Sequence, residues 1–299
     1  MFEGFDAFTI TTQREPLIFI SGLKSGGSFS PLPPLLLLHG FPQNHRIWHR
    51  VAPQLTGKYT VVILDLRGYG ESSKPGDLSA YAKSAMARDC AVVMEQLGFK
   101  SFYVCAHDRG ARVTHKLCVD FPERVRKAII LDICPTLAMY TSTDFEFAKA
   151  YFHWFFLIQK EPLPETLISG SPRRFAELFM GGRQPRGLQI FDQESFASYV
   201  KVLEDPVAVH AMCQDYRASA TLDLDEARDD LNNGKLVRCP LRVLWGKHGV
   251  IEKCFDAMKE WRAVTEEGIN VDGHSLDSGH YIPEQVPDDV MFNILEFLA

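Results

Sequence analysis

The chain has 299 residues, 46% of them hydrophobic, enough for one large core with an inserted subdomain or for two small domains. Its net charge of −6 argues against a nucleic-acid partner, so a bound anion would need locally placed arginines. Seven scattered cysteines without a C-x-x-C pair indicate a reducing compartment and no structural zinc. The first residues lack a basic signal-peptide start, and the longest aliphatic run, Leu35 to Leu38, is too short to cross a bilayer. We therefore expect a cytoplasmic protein that does not bind membranes.

The first half of the chain alternates apolar strand segments with helical segments. Strands are predicted at Phe8 to Thr12, Leu17 to Ile20, Leu35 to Gly40, Val61 to Asp65, Phe102 to Cys105 and Lys127 to Asp132. Helices are predicted near Ile47 to Leu55, from Tyr81 to Leu97 and from Val113 to Phe121, with a loop from Lys24 to Pro34. The first two strands form an antiparallel hairpin in this prediction. The alternation that follows predicts an α/β fold with a mostly parallel, doubly wound sheet.

This rhythm of strands stops after Ile133 and returns at residue 241. From about Pro135 to Asn233 the sequence is aromatic, helix-like and interrupted by prolines and glycines. The later predicted elements are a strand at Leu241 to Trp245, a helix near Cys254 to Val264, a weak strand at Gly268 to Val271 and a helix at Asp288 to Leu298. We therefore predict a sheet core at residues 1–134 and 236–299, with an inserted all-helical lid at 135–235. The lid would cover the carboxyl edge of the sheet, where open α/β sheets bind ligands.

A short apolar strand runs directly into a helix at Cys105-Ala-His-Asp-Arg-Gly-Ala-Arg112. Small residues two positions either side of a reactive residue are the pattern of a nucleophile elbow, here with Asp108 at the tip between Ala106 and Gly110. The usual tip residue is serine. A carboxylate that attacks an ester gives a labile anhydride, whereas attack on a saturated carbon gives an ordinary ester that water can hydrolyse. The aspartate therefore predicts displacement at a saturated carbon.

A general base and an acid that orients it are expected later in the chain. His280 follows the last predicted strand and precedes the last helix, which is the position of the base in the order nucleophile, acid, histidine; its rival is His274. The acid can follow either the sixth or the seventh strand. Asp132 stands after the sixth strand, whereas no carboxylate follows the seventh until Glu252. We predict Asp132, with the alternative that it only caps the loop into the lid.

Residues on both sides of the elbow are candidates for binding an anion. Two backbone N–H groups should form an oxyanion hole, and we expect those of Arg109 and of Phe41 in His39-Gly-Phe-Pro42. Arg109 and Arg112 lie three apart at the start of a helix, where they can share a face and hold a carboxylate beside Asp108. The alternative for Arg112 is an ion pair with a nearby acid.

Three aromatic side chains of the predicted lid are candidate donors to a leaving anion. His153 and Trp154 belong to the run Ala150-Tyr-Phe-His-Trp-Phe-Phe156, and Tyr216 lies in Asp215-Tyr-Arg217. The ordinary role of such residues is to pack the lid against the core. Imidazole, indole and phenol nevertheless carry N–H or O–H groups, and a small hydrated anion needs such donors when it departs into a dry pocket.

Five motifs together resemble those of the fluoroacetate dehalogenases, a family within the α/β-hydrolases. They are His39-Gly-Phe-Pro-Gln43, His107-Asp-Arg-Gly-Ala-Arg112, Tyr151-Phe-His-Trp154, Asp215-Tyr-Arg217 and Gly279-His-Tyr-Ile-Pro283. The resemblance implies that Asp108 is the nucleophile, that His280 activates water and that Asp132 orients His280. It also implies carboxylate binding by Arg109 and Arg112, and halide binding by His153, Trp154 and Tyr216. It further suggests a small anionic substrate, a homodimer, and neither a metal nor an organic cofactor.

We therefore expect a haloacetate dehalogenase that forms glycolate, and two alternatives stay open. An epoxide hydrolase would use the same Asp, His and oxyanion hole, and lid tyrosines would polarise the epoxide: Tyr216 with Tyr151 or Tyr199. A neutral epoxide, however, leaves two buried guanidinium groups without an anionic partner, which is energetically costly. The second alternative is a catalytically inactive receptor on the same scaffold, which would need neither the base nor the arginines.

Overall fold

The computed structural model describes residues 2–27, 30–182 and 186–299. Its strands form one eight-stranded sheet in the order β1-β2-β4-β3-β5-β6-β7-β8 among these residues. The strands are β1 Phe5–Gln13, β2 Ile18–Ser25, β3 Pro34–Leu38, β4 Thr60–Leu64, β5 Phe102–His107, β6 Val125–Leu131, β7 Leu241–Gly246 and β8 Val271–Leu276. The strands β3 to β8 pair in parallel, and the β1–β2 hairpin joins β4 in antiparallel fashion. The predicted α/β class with a mostly parallel sheet is confirmed.

Helices cover both faces of the sheet, which is why β4 and β5 are buried at every position. The helices of the core are α1 Ala52–Leu55, α2 Lys83–Gln96, α3 Arg109–Asp120, α12 Val250–Cys254, α13 Ala257–Ala263, α14 Ile282–Gln285 and α15 Pro287–Phe297. Short 3-10 helices at His45–Trp48 and Leu78–Tyr81 precede α1 and α2. None of the helices in the described ranges is both long enough and apolar enough to cross a membrane.

The described residues between β6 and β7 form helices joined by short non-helical connections, together with an isolated β-bridge from Val237 to Thr265. This segment contains α4 Thr136–Thr141, α5 Phe145–Ala150, α6 Phe152–Leu157, α7 Leu163–Ser169, α8 Pro172–Ala176, α9 Gln193–Leu203, α10 Pro206–Ser219 and α11 Leu222–Asn232. A π-helical turn at Glu177–Gly181 and a 3-10 helix at Gly187–Ile190 lie between α8 and α9. We call this segment the lid. The division into 1–134, 135–235 and 236–299 stays a prediction.

Three predicted elements differ from the structure for local reasons. The helix near residues 47–55 is split, because Pro53 lacks the N–H that a continuous helix requires and starts α1 instead. The helix near residues 254–264 is also split, because Asp256 accepts a hydrogen bond from the Lys259 N–H and caps a new helix, α13. The strand predicted at 268–271 was wrong in position. The strand β8 begins at Val271, and its polar, half-exposed residues gave a weak apolar signal.

Parallel pairing brings the carboxyl ends of β3, β5, β6 and β7 to one edge of the sheet. The loop after β3 contains Phe41, β5 leads directly into Asp108, and β6 leads into Asp132. The loop after β8 carries His280 to the same edge. The topology therefore assembles residues that are up to 239 positions apart in the chain, and the lid helices pack above them.

Candidate active site

Asp108 lies in a sharp turn between β5 and α3. Its φ of 49° and ψ of −112° define a backbone conformation that residues other than glycine rarely adopt. The turn also brings α3 very close to the end of β3. A Cβ atom added to Gly110 would lie 2.5 Å from the carbonyl oxygen of His39 and 2.7 Å from the Cβ of Leu38. The geometry is that of the elbow predicted from the spacing of small residues.

The carboxylate of Asp108 is buried and is held from one side by the loop after β3. Its Oδ1 accepts a hydrogen bond from the Phe41 N–H at 2.9 Å. Gly40 permits this approach, since an added Cβ would lie 2.4 Å from the Cβ of Asp108. Burial by itself raises the pKa of Asp108, but His280, His107 and Arg109, together with the Phe41 N–H, outweigh burial and place the pKa below its ordinary value. Asp108 is therefore a carboxylate at neutral pH.

His280 lies between the carboxylates of Asp132 and Asp108. Its Nδ1 is 2.6 Å from Asp132 Oδ2, and the other oxygen of Asp132 accepts a hydrogen bond from the Gly246 N–H at 2.9 Å. Because an ionised carboxylate only accepts, Nδ1 carries the proton in the neutral imidazole and Nε2 has its lone pair free. Nε2 lies 4.0 Å from Asp108 Oδ2. The three residues predicted as nucleophile, base and acid therefore lie in one row.

Two further side chains, which the sequence prediction did not place in the triad, contact His280. His107 Nε2 is 2.8 Å from the backbone carbonyl of His280, so it donates to that oxygen and steadies the loop. Burial, the largest cause, lowers the pKa of His107 to about 4, so it is neutral in the physiological range. The hydroxyl of Tyr151 lies 3.5 Å from His280 Nδ1. Both are expected to restrict the position of the imidazole.

Arg109 is buried and forms a forked ion pair with Asp215 of the lid. Its Nε donates to Asp215 Oδ2 at 2.8 Å and its Nη2 donates to Oδ1 at 2.7 Å. Nη2 also donates to Ser219 Oγ at 2.7 Å, and the guanidinium carbon lies 4.3 Å from the ring centroid of Tyr216. Nη1 of Arg109 has no hydrogen-bond partner among the described residues. The charge of Arg109 is thus largely matched within the chain.

Asp215 was not predicted as a site residue, although it is the centre of a buried network. It also accepts hydrogen bonds from Lys83 Nζ at 2.6 Å and from the Tyr69 hydroxyl at 2.7 Å. Burial would raise the pKa of Asp215, but Arg109 and Lys83 outweigh it and hold the pKa well below its ordinary value. The sequence contained only a weak signal, an acid beside Tyr216 in a helical segment. Its importance depends on contacts with α2 and α3 that no local pattern predicts.

Arg112, one helical turn after Asp108, is buried but has no carboxylate within 4.0 Å in the described part of the chain. Its Nη1 donates to Thr136 Oγ1 at 2.7 Å, and Nη2 lies 3.1 Å from the sulfur of Met139. Its guanidinium carbon is 4.6 Å from the ring centroid of Trp154. Burial and the charge of Arg109 lower its pKa, and the charge of Asp108 opposes them. The ion pair that we considered as an alternative for Arg112 is formed by Arg109 instead.

The predicted halide donors lie in two places around these arginines. The rings of His153 and Tyr216 are 5.8 Å apart, and both contact the ring of Phe41, at 6.2 Å and 5.2 Å between centroids. Trp154 lies beside Arg112 and stacks on Tyr151 at 5.6 Å. All three predicted donors are buried. The structure therefore brings His153 and Tyr216 together on the side of Phe41 and places Trp154 against the other arginine.

The rival residues lie outside this group. His274 is exposed on β8, and Glu252 is an exposed acid that accepts a hydrogen bond from the indole of Trp245. The hydroxyl of Tyr199 donates to the buried Glu284 at 2.6 Å. One group of metal-ligating atoms occurs elsewhere in the described lid, namely those of Glu161, Glu165 and His210. Glu165 there already has a cation, because Arg217 donates to it at 2.7 Å.

Known proteins resemble this chain in sequence and in fold. A family model described as the α/β hydrolase fold matches residues 33–176. The fluoroacetate dehalogenase of Burkholderia sp is 40% identical, and the alignment covers 100% of this chain and 95% of the relative. The soluble epoxide hydrolase of Corynebacterium sp. (strain C12) is 31% identical, with 89% and 90% covered.

A solved structure from Nostoc sp PCC 7120, described as an α/β hydrolase, has a TM-score of 0.92 and 43% identity to this chain. The superposition covers 100% of this chain and 99% of the Nostoc chain. The likeness therefore extends over the core and the lid together. The chain is a hydrolase of the α/β-hydrolase superfamily and belongs to the family of the fluoroacetate dehalogenases.

Proposed function

We propose that the protein is a haloacetate dehalogenase, which converts a small 2-halo acid into the 2-hydroxy acid and a halide ion through an ester on Asp108. One observation carries the proposal: the guanidinium of Arg112 is buried one helical turn from the nucleophile and lacks a carboxylate partner among the described residues. A buried cation without a counter-ion is costly unless a ligand supplies the charge. A substrate carboxylate on Arg112, with help from Nη1 of Arg109, would supply it.

In the first step, Oδ2 of Asp108 attacks the carbon that bears the halogen. The C–O bond forms as the carbon–halogen bond breaks, and the halide leaves with the electron pair. Oδ1 is already held by the Phe41 N–H, which leaves Oδ2 as the oxygen turned toward His280. The lowered pKa of Asp108 supports this role, because the nucleophile must be ionised.

The leaving halide would be received by His153, Tyr216 and Trp154. His153 and Tyr216 lie on the Phe41 side of the pocket, and their buried positions would replace the hydration shell of a small anion. The two arginines also lower the energy of an anion formed in this pocket. The proposal therefore assigns the carboxylate to the two arginines and the halide mainly to His153 and Tyr216, with Trp154 beside Arg112.

In the second step, His280 Nε2 takes a proton from a water molecule, and the resulting hydroxide attacks Cγ of Asp108. Negative charge develops on Oδ1, where the N–H groups of Phe41 and Arg109 stabilise it. When the tetrahedral intermediate collapses, the C–O bond to the substrate breaks and the proton on His280 passes to the departing alkoxide. Asp132 holds the imidazole in the required tautomer throughout. The second water proton, which remains on the regenerated carboxyl of Asp108, is then lost to solvent, and the carboxylate and the neutral base are restored.

The second candidate function is an epoxide hydrolase, favoured by the 31% identical relative from Corynebacterium. The same triad would open the ring, and Tyr151 and Tyr216 would polarise the epoxide oxygen. The buried charge of Arg112 argues against a neutral substrate. The two functions are distinguished by comparing halide release from chloroacetate and fluoroacetate with diol formation from styrene oxide. A dehalogenase releases halide faster than it forms the diol, and an epoxide hydrolase does the opposite.

The covalent scheme is tested with His280→Ala and fluoroacetate. Displacement needs only Asp108, so we expect one fluoride per active site and then no turnover, with the Asp108 peptide carrying a glycolyl ester in its mass spectrum. The matched control is His274→Ala, an exposed histidine six residues earlier, which should turn over normally. Continued turnover by His280→Ala with an unmodified Asp108 peptide would show that the scheme is wrong.

A further inference from the structure

A cavity of about 240 Å³ lies between core helices α3 and α13 and lid helices α4 and α11. Residues from all four helices line it, among them Arg112, Lys116, Thr136, Ala138, Ala227 and Ala263. Its inner and outer ends are distinguished by exposure. Arg112 is 3% exposed, whereas the side chain of Lys235, which also lines the cavity, is 59% exposed. The cavity therefore leads from the surface to the guanidinium that the proposed function assigns to the substrate carboxylate.

The inner end of this cavity offers a hydrogen-bond donor. Nε of Arg112 is buried and has no hydrogen-bond partner among the described residues. The two Nη atoms of Arg112 contact Thr136 and Met139, and both of these residues belong to α4, one of the helices around the cavity. A carboxylate at this end of the cavity would supply the counter-charge that Arg112 lacks.

The charges along the cavity favour an anion at this end. Four acids line the cavity as well, and three of them, Asp223, Glu226 and Asp230, have a lysine within 4.0 Å, whereas Glu260 forms no ion pair among the described residues. Asp223 is 3.1 Å from Lys83, and Asp230 is 2.5 Å from Lys116. Of the four lysine and arginine side chains that line the cavity in the described structure, Arg112 alone has no carboxylate within 4.0 Å. Arg112 is therefore the lining cation whose charge is least matched and most open to a small carboxylate.

A second cavity, of about 420 Å³, reaches the site from another side. It lies between lid helix α5 and core helix α12, and its lining includes Lys149, Ala150, Tyr151, Lys253 and His280. The two cavities have no lining residue in common. One therefore ends at the base that activates water, and the other ends at the arginine that faces the carboxylate.

We propose that small carboxylates enter and leave the active site through the cavity at Arg112, while the cavity at His280 supplies water. The inference rests on the proposed function for the identity of the ligand. After hydrolysis the carboxylate of the hydroxy acid is still bound to Arg112, at the inner end of the first cavity. The product can then leave without passing His280, and the next water can reach the base independently.

The test measures fluoroacetate exchange by ¹⁹F NMR line shape in an Asp108→Asn background, which binds the acid but cannot displace fluoride. Ala227→Phe and Ala138→Phe fill the cavity at Arg112 from opposite walls, and Ala150→Phe obstructs the cavity at His280 as the matched control. We expect both blocking variants to slow association and dissociation by about tenfold with the Kd little changed, because a narrowed passage raises a barrier without altering the bound state. Ala150→Phe should leave the exchange rates unchanged.

Slower exchange in Ala150→Phe but not in the other two variants would overturn the proposal, and so would unchanged exchange in all three. The proposed function fails separately, if the native chain does not release fluoride from fluoroacetate. Gated exchange without fluoride release would keep the passage and discard the reaction. Normal fluoride release, with exchange rates that Ala227→Phe and Ala138→Phe leave unchanged, would keep the reaction and discard the passage. Absence of fluoroacetate binding would discard both, because both require Arg112 to bind the carboxylate.

Discussion

Glu284 is a buried acid four residues after His280. The substitution Glu284→Gln tests whether this acid makes the free energy of unfolding depend on pH. Its carboxyl accepts a hydrogen bond from Tyr199 of the lid at 2.6 Å, and Gln43 of the loop after β3 lies 3.5 Å from the same oxygen. Nδ1 of His49 is 3.7 Å from the other oxygen. Burial, the largest cause, raises the pKa of Glu284 to about 8, and Tyr199 and Arg50 offset only part of this.

The sign follows from the two states of the chain. Between pH 4.5 and 8 the folded protein keeps the proton on Glu284, and the unfolded chain has lost it. The free energy of unfolding should therefore fall by about 1.4 kcal/mol per pH unit across this window. A pKa that rises from 4.5 to about 8 corresponds to about 5 kcal/mol in all. Glutamine carries no proton to lose, keeps an oxygen for Tyr199 and removes this dependence.

The assay is urea unfolding of the native protein and Glu284→Gln at several pH values from 5 to 8.5. We expect nearly equal stability at pH 5 and an advantage of several kcal/mol for the variant at pH 8.5, which grows steadily between these values. The control is Glu267→Gln, an exposed glutamate whose variant should follow the native curve. A difference between Glu284→Gln and native protein that does not change with pH would refute the assignment of a protonated Glu284.

The remaining predictions concern the buried arginines. Asp215→Asn leaves the buried Arg109 without its carboxylate and leaves Lys83 with Asp223 alone, so urea unfolding should show a loss of about 3–5 kcal/mol. The control Asp225→Asn, whose partner Arg228 is exposed at the surface, should lose less than about 1 kcal/mol, and equal losses would contradict the network. Arg112→Met should raise the KM for chloroacetate by about 10- to 100-fold, because hydrogen bonds to a charged group contribute roughly 1.5–3 kcal/mol. Steady-state halide release checks this, with Arg228→Met as the surface control; an unchanged KM would remove Arg112 from the carboxylate site.

The parts of the site that sequence analysis predicted are those that depend on short-range rules. The elbow needs a small residue at position 110 because α3 touches the end of β3, and the spacing of small residues around Asp108 reveals this directly. His280 and Asp132 follow strands whose apolar runs are visible in the sequence. Their approach to Asp108 follows from parallel pairing, which takes the ends of successive strands to one edge.

The pairing of the arginines could not be predicted in this way. Arg109 and Arg112 are both arginines at the start of α3, on the same side of the elbow. Arg109 nevertheless pairs with Asp215, whereas Arg112 contacts Thr136 and Met139. Which arginine receives a carboxylate depends on how α10 and α4 of the lid settle on α3. Those contacts join residues more than 20 positions apart, and periodicity carries no information about them.

By itself, the sequence determined the α/β class with its mostly parallel sheet, because local sterics and strand order specify it. It also predicted a triad of Asp108, Asp132 and His280, three residues that the structure brings together. The tertiary structure alone decided the charge balance of the pocket. It pairs Arg109 with Asp215, leaves Arg112 without a carboxylate partner among the described residues and raises the pKa of Glu284 by burial. Charge balance depends on distance and on exclusion of water, and both are set only when the lid packs on the sheet.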